Sequence, residues 1–134
     1  MKITSKSHYG VQVMADLAKF WGKGPISLST ISQNERIPHD YLEQLMIPLR
    51  RYGLVKAKRG TRGGYLLSRE PRKITLKEII QALEGDMAPV VCVAKGGKVL
   101  CPTEKSCGSK KVWQKVQKNI LQALNAINLK EVLE

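Results

Sequence analysis

The segment LVKAKRGTRGGYLLSR, residues 54 to 69, is the stretch that most restricts how this chain folds. Two short extended pieces, LVKAKR and YLLSR, flank the glycine-bearing GTRGG, which is the pattern of a β-hairpin. The segments on either side repeat their apolar residues at helical spacing, so the hairpin reads as a basic wing set beside helices. Between Arg50 and Lys73 nine basic residues stand against one acid, Glu70.

Before the hairpin come three helical patterns. HYGVQVMADLAKFW, residues 8 to 21, places Val11, Met14, Leu17, Ala18 and Trp21 on one face. GKGP breaks that pattern, and LSTISQN follows as a short helix with Ser27 as its cap. After the turn ERIP, residues 39 to 53 carry Tyr41, Leu42, Leu45, Met46 and Leu49 at helical intervals. Pro48 falls inside this third pattern and is expected to kink or divide the helix, because it has no N–H for the carbonyl of Gln44. Gly53 supplies the stop.

Helix, short helix, turn, helix, basic hairpin is the order of a winged helix-turn-helix, in which a recognition helix enters the major groove and the wing lies on the DNA backbone. The fold class expected is therefore mainly α with a small β-hairpin wing. Across the chain 23 Lys and Arg oppose 11 Asp and Glu, a net charge of +12 that favours a polyanionic partner. The positions expected to meet DNA are His39, Asp40, Tyr41, Glu43 and Gln44 on the recognition helix and Arg50, Arg59, Thr61 and Arg62 at its end and on the wing. Two plainer readings stand beside this one. Arg50, Arg51, Lys56, Lys58, Arg59 and Arg62 fit a solvated face, and Asp40 and Glu43 fit service to the positive end of a helix.

Past the wing, Thr75 and Glu78 form a capping box ahead of Leu76, Ile79, Ile80 and Leu83, and Gly85 ends that helix. From Ser109 onward Val112, Val116, Ile120, Ala123, Leu124 and Ile127 make a long apolar stripe that asks for a partner. Asn128 and Glu131 cap a last short helix. No apolar run approaches the roughly eighteen residues of a membrane span, and the N-terminus lacks the apolar core of a signal peptide, so a cytoplasmic protein is expected.

All three cysteines, Cys92, Cys101 and Cys107, lie in one glycine- and lysine-rich loop between these last two patterns. Their spacing is not the paired C-x-x-C of structural zinc. Thiolates spread along a loop of little bulk suit an iron–sulfur cluster, and the neighbouring lysines favour both the thiolates and an anionic cluster. Three thiolates leave the site one ligand short. His39 sits where DNA contact is expected, and His8, at the start of the first helix, reads either as a ligand or as an ordinary surface residue. No motif joins a cysteine to a base in a nucleophile pattern, which argues against a thiol enzyme. RNA binding would account for the charge and leave the cysteine loop unexplained.

The opening MKITSKSHYGV, the segment YLEQLMIPLRRYGLV, the wing VKAKRGTRGGYLL and the three-cysteine loop together resemble the IscR, NsrR and CymR group of bacterial winged-helix regulators, over nearly the whole chain. The resemblance implies a homodimer whose long C-terminal helices pack together and whose two winged helices address a two-fold symmetric stretch of double-stranded operator DNA. It implies a cluster on Cys92, Cys101 and Cys107, with [2Fe–2S] favoured over [4Fe–4S]; CymR-like members lack these cysteines and regulate cysteine metabolism. IscR-like members place a histidine ligand where this chain has Lys110, and NsrR-like members use an acid where it has His8, so His8 becomes the expected fourth ligand, reaching from the other subunit. Glu43 matches an acid with which IscR-like members distinguish operator classes. The implied division is a DNA-binding unit over residues 1–74 and a second unit over 75–134 holding the cluster loop, 92–107, and the dimerisation helix. The implied function is a repressor that senses iron–sulfur status and controls cluster-assembly genes, with nitric-oxide or redox sensing, or CymR-like regulation, as alternatives.

Overall fold

A computed structural model describes residues 3–85, 88 and 107–133. Helices α1 (Ser5–Lys19), α2 (Leu28–Glu35) and α3 (His39–Arg51) lead into strands β1 (Val55–Lys58) and β2 (Gly64–Leu67). A 3₁₀ turn (Pro71–Lys73) and helices α4 (Leu76–Glu84), α5 (Gly108–Asn125) and α6 (Leu129–Val132) follow. Cys92 and Cys101, with most of the cysteine loop, lie outside the described residues.

The first helix starts three residues before its apolar periodicity does, because Thr4 caps it by accepting from the Lys6 N–H. Thr4 has a second task. Its N–H (3.0 Å) and hydroxyl donate to Oε1 of Glu84, as does the buried Ser7 hydroxyl at 2.8 Å. Glu84 thus ties the C-terminal end of α4 to the N-terminus of α1, whose partial positive charge suits a carboxylate. Burial pushes this carboxyl up, but the hydrogen bonds from Thr4 and Ser7 together outweigh burial and hold it below its ordinary value. A depressed folded value means stabilisation that is present above the unfolded carboxylate range and lost as pH falls through the folded value. Glu84→Gln keeps an acceptor but not the charge, so it should cost about 1–2 kcal/mol at neutral pH. Urea unfolding of both proteins should show that difference at pH 7 and its decline as pH falls below the ordinary carboxylate range.

Further along the same seam the helices nearly touch. A Cβ added to Gly10 would sit 2.1 Å from Cδ1 of Leu83, so any larger residue would displace the Leu83 side chain from this approach. One apolar core spans the protein: Val13, Met14 and Leu17 of α1, Ile31 of α2, Leu42, Leu45, Met46 and Leu49 of α3, Leu54, Leu67, Ile79 and Leu83, and Leu129 of α6. The C-terminal segment is pinned to it by the Leu76 N–H to Ile127 O and the Leu129 N–H to Ile74 O, both 2.8 Å. Asp16 is buried as well, 2% exposed, and accepts from Nδ2 of Asn34 at 3.3 Å. Desolvation, then the charge of Asp16, push the nearby Glu35 carboxyl up, with Lys19 pulling the other way.

Between α2 and α3 the chain turns in three residues. Arg36 adopts a left-handed conformation (φ 54°), the Ile37 N–H returns to Ser32 O, and the Ser32 hydroxyl donates to Ile37 O. Helix α3 then runs undivided through Pro48, against the expected division. Pro48 lies one turn from the helix end, Gln44 is exposed so its carbonyl can be hydrated, and the buried Leu45, Met46 and Leu49 anchor both sides of the proline.

The hairpin pairs Val55 with Leu67 through Lys58 with Gly64 in antiparallel register. Ile26 adds a bridge to Tyr65, with N–H to O distances of 2.9 and 2.8 Å, which fixes the wing to the body. Gly64 (φ +153°) permits this, since a Cβ there would meet the Ile26 carbonyl oxygen at 2.1 Å.

Candidate functional site

Helix α3 divides cleanly by exposure. Leu42, Leu45, Met46 and Leu49 face the core, while His39, Asp40, Glu43, Gln44, Ile47, Arg50 and Arg51 are exposed. The expected base-reading positions therefore share the outer face at the N-terminal end of this helix, with one exception. Tyr41 is half-buried and packs edge-on against Tyr9, ring centroids 5.7 Å apart, so it is committed partly to the body. His39 Nδ1 approaches Glu43 Oε1 to 3.3 Å across one helical turn, and the donor atoms of His39, Asp40 and Glu43 all lie within 4.8 Å of one another.

Ile47, which the helical stripe of the sequence leaves out, is 55% exposed on the outer face. Its neighbours Met46 and Leu49 satisfy the apolar stripe without it, and this surplus is the only signal the sequence offered.

The basic residues fall into two groups. Arg69 pairs with Glu78 (3.0 Å), and Arg72 and Lys73 pair with Glu70 (3.4 and 3.8 Å). Arg50, Arg51, Lys56, Lys58, Arg59 and Arg62 are exposed and, among the described residues, form no ion pair with an acid. Thr61 is exposed between Arg59 and Arg62 at the tip of the hairpin. The end of α3 and the wing thus present uncompensated positive charge beside a helix face rich in hydrogen-bonding groups, the combination that duplex DNA requires.

Of the expected cluster ligands, Cys107 and His8 are described. Cys107 is partly exposed and occupies the N-cap of α5, where its side chain makes no capping hydrogen bond. Among the described residues this thiol is a free cysteine with no capping role. His8 is exposed in the first turn of α1, beside Tyr9, and lines a groove of about 590 Å³ with Val11, Gln12, Leu76, Ile80 and Val132. Gln12, which sequence reasoning passed over, leaves its side-chain oxygen buried there without a hydrogen-bond partner among the described residues. Helix α5 has no buried residue: Val112 is 58% exposed, and Val116, Ile120 and Leu124 are only half-covered.

A family model described as "Rrf2: Iron-dependent Transcriptional regulator" matches residues 3–134. The chain belongs to the Rrf2 family. Its Rrf2 relatives include the HTH-type transcriptional regulator CymR of Bacillus subtilis (strain 168), 39% identical over 132 residues, which cover 98% of this chain and 89% of CymR. The solved structure of that protein, titled as the global cysteine regulator, matches with a TM-score of 0.80 and 38% identity over 99% of this chain and 96% of the other. IscR of Xenorhabdus nematophila is 36% identical over 134 residues, 100% of this chain and 80% of IscR. The solved IscR of T. potens matches with a TM-score of 0.75 and 41% identity over 99% and 86% of the two chains. This Rrf2 protein is accordingly a transcriptional regulator with a winged-helix fold, and its family is one of DNA-binding proteins rather than enzymes. Among the described residues no helix is long and apolar enough to cross a membrane.

Proposed function

We propose that this Rrf2 protein is a homodimeric repressor that holds an iron–sulfur cluster, [2Fe–2S] in preference to [4Fe–4S], and reports cluster status to cluster-assembly genes. The ligands are Cys92, Cys101 and Cys107, with His8 of the other subunit as the fourth. The observation that carries the reading is Cys107, a partly exposed thiol with no capping bond at the N-terminus of α5, a long helix with no fully buried residue among those described. Its donor chemistry fits, because cysteine sulfur is the ligand such clusters take. When bound, the cluster supplies an inorganic crosslink whose presence depends on iron and sulfide supply.

The chain's own residues do the rest. The exposed stripe of α5 supplies the dimer contact. Residues 1–74 read DNA, Gln44 pairing with adenine, Glu43 accepting from cytosine, Ile47 meeting a thymine methyl, and Arg50, Arg59, Thr61 and Arg62 holding phosphates. Residues 75–134 carry the cluster loop and the dimer helix. Because the cluster contacts are divided between His8 on α1 and Cys107 on α5, their formation favours one placement of the DNA-binding unit relative to the dimer helix, and DNA affinity follows by linkage.

Protein purified without oxygen should be coloured and should contain iron and acid-labile sulfide in similar amounts. Stoichiometric zinc without sulfide would end the cluster reading. Retention of operator binding by a colourless, sulfide-free protein would favour the second reading, regulation of cysteine metabolism, which the likeness to CymR supports. Bleaching of the colour by nitric oxide or oxidant at signal concentrations, with unchanged response to iron supply, would make the same cluster a nitric-oxide or redox sensor.

A further inference from the structure

We infer that His39 is a specificity-determining residue that acts through Glu43: it positions the carboxylate at the DNA-facing end of α3 and makes operator choice depend on a single proton. The inference rests on the reading of α3 as the helix that meets base edges.

The geometry begins with 3.3 Å between His39 Nδ1 and Glu43 Oε1. At that distance two lone pairs would repel, so the contact is favourable with a proton on Nδ1 and most favourable with an imidazolium. The pair is i, i+4 on the exposed face, with side chains 47% and 55% exposed, and an exposed pair of this kind adds little to stability. Its consequence lies in what the carboxylate presents to DNA. With neutral His39 the pair has a net charge of −1 and Glu43 is at full strength: it accepts from the cytosine amino group and is repelled by acceptor-only edges. With His39 protonated the pair is neutral overall, Glu43 is held by an imidazolium, and that repulsion falls. Water leaves the groove on binding, which enlarges the difference between the two states.

The surroundings leave this pair to itself. Asp40, on the same helix, is the acid whose donor atoms come near. Glu35 and Arg36 at the end of α2, Lys56 and Lys58 on β1, and Lys77, Glu78 and Glu84 on α4 are the charged groups of the elements packed on α3. Among the described residues none forms an ion pair or hydrogen bond with His39 or Glu43. Among the described residues Glu43 is thus the ion-pair partner of His39, with Asp40 the one further acid near it.

The test uses the full-length protein as purified. Selection from randomised duplexes with wild type and Glu43→Ala first identifies the base pair whose preference Glu43 sets. The affinity ratio for two duplexes differing only there is then measured at pH 6 and pH 8 for wild type, His39→Gln and His39→Ala. Wild type should discriminate about tenfold better at pH 8 than at pH 6, the lower range of one side chain–base contact. His39→Gln, which keeps a donor but cannot titrate, should hold the high ratio at both pH values, and His39→Ala should give a pH-independent ratio moved toward that of Glu43→Ala. A wild-type ratio that ignores pH, or a His39→Gln variant that still follows it, overturns the role of His39 while leaving Glu43 as a reader. If Glu43→Ala changes no preference at all, the reading of α3 itself fails, and the inference with it.

Discussion

An Arg59→Ala/Arg62→Ala double variant should bind operator duplex about thirtyfold more weakly near physiological salt, with the slope of log affinity against log salt flatter by about 1.8. Both numbers come from one source. Each phosphate contact releases condensed counterions worth about 0.9 in the slope, and two such contacts extrapolated from 1 M to 0.15 M salt give about 1.5 decades. The structure makes these two arginines the sharpest test, because they are exposed at the hairpin tip and no acid of the described protein neutralises them. Arg72 is the internal control. It already pairs with Glu70 at 3.4 Å, so Arg72→Ala should change the slope much less. Equal slopes for all three proteins, measured by fluorescence anisotropy over a salt series, would remove the wing from the DNA interface.

The largest loss of stability is expected from Leu45→Ala. Leu45 is fully buried on the inner face of α3, among Leu42, Met46 and Leu49. Deleting three carbons there removes their transfer free energy and leaves a cavity that the surrounding helices fill only partly, a cost of about 3–5 kcal/mol. Against the usual 5–15 kcal/mol for a domain, that lowers the melting temperature by roughly 10–20 °C, as circular dichroism would show. The exposed Ile47, two residues away, provides the contrast: Ile47→Ala should leave the melt nearly unchanged while altering DNA preference. A melt that barely moves for Leu45→Ala would contradict the packing of α3 against the body.

Local signals were strong where chemistry and periodicity agreed. Ser27, Thr75 with Glu78, and Asn128 with Glu131 each form the cap their spacing announced. The hairpin followed from its glycines and extended flanks, and the outer face of α3 from the 3.6-residue repeat. Long-range partners were not legible. Nothing in the sequence ties Glu84 to Thr4, eighty positions away, or says that Gly10 exists to admit Leu83, because such contacts depend on how helices cross and not on any local pattern. At Pro48 a kink or a division was expected, and the helix is not divided. The local rule was sound, but burial of Leu45, Met46 and Leu49 outweighed the cost of one missing hydrogen bond. Half of the expected cluster site could be located, as Cys107 and His8; Cys92 and Cys101 lie outside the described residues.

Leu129, fully buried from the last short helix, and the bonds joining residues 127 and 129 to 76 and 74 have a consequence in time as well as in space. A ribosome releases the winged helix long before it releases Leu129, yet the core that supports the recognition helix is complete only when Leu129 arrives. Pairings between distant parts of a chain are slow to form and come late. A nascent or prematurely terminated copy therefore has the basic wing without the finished platform behind it. A chain that stops before Leu129 should accordingly hold an operator more weakly than one that includes it, because the helix facing the groove lacks part of its support.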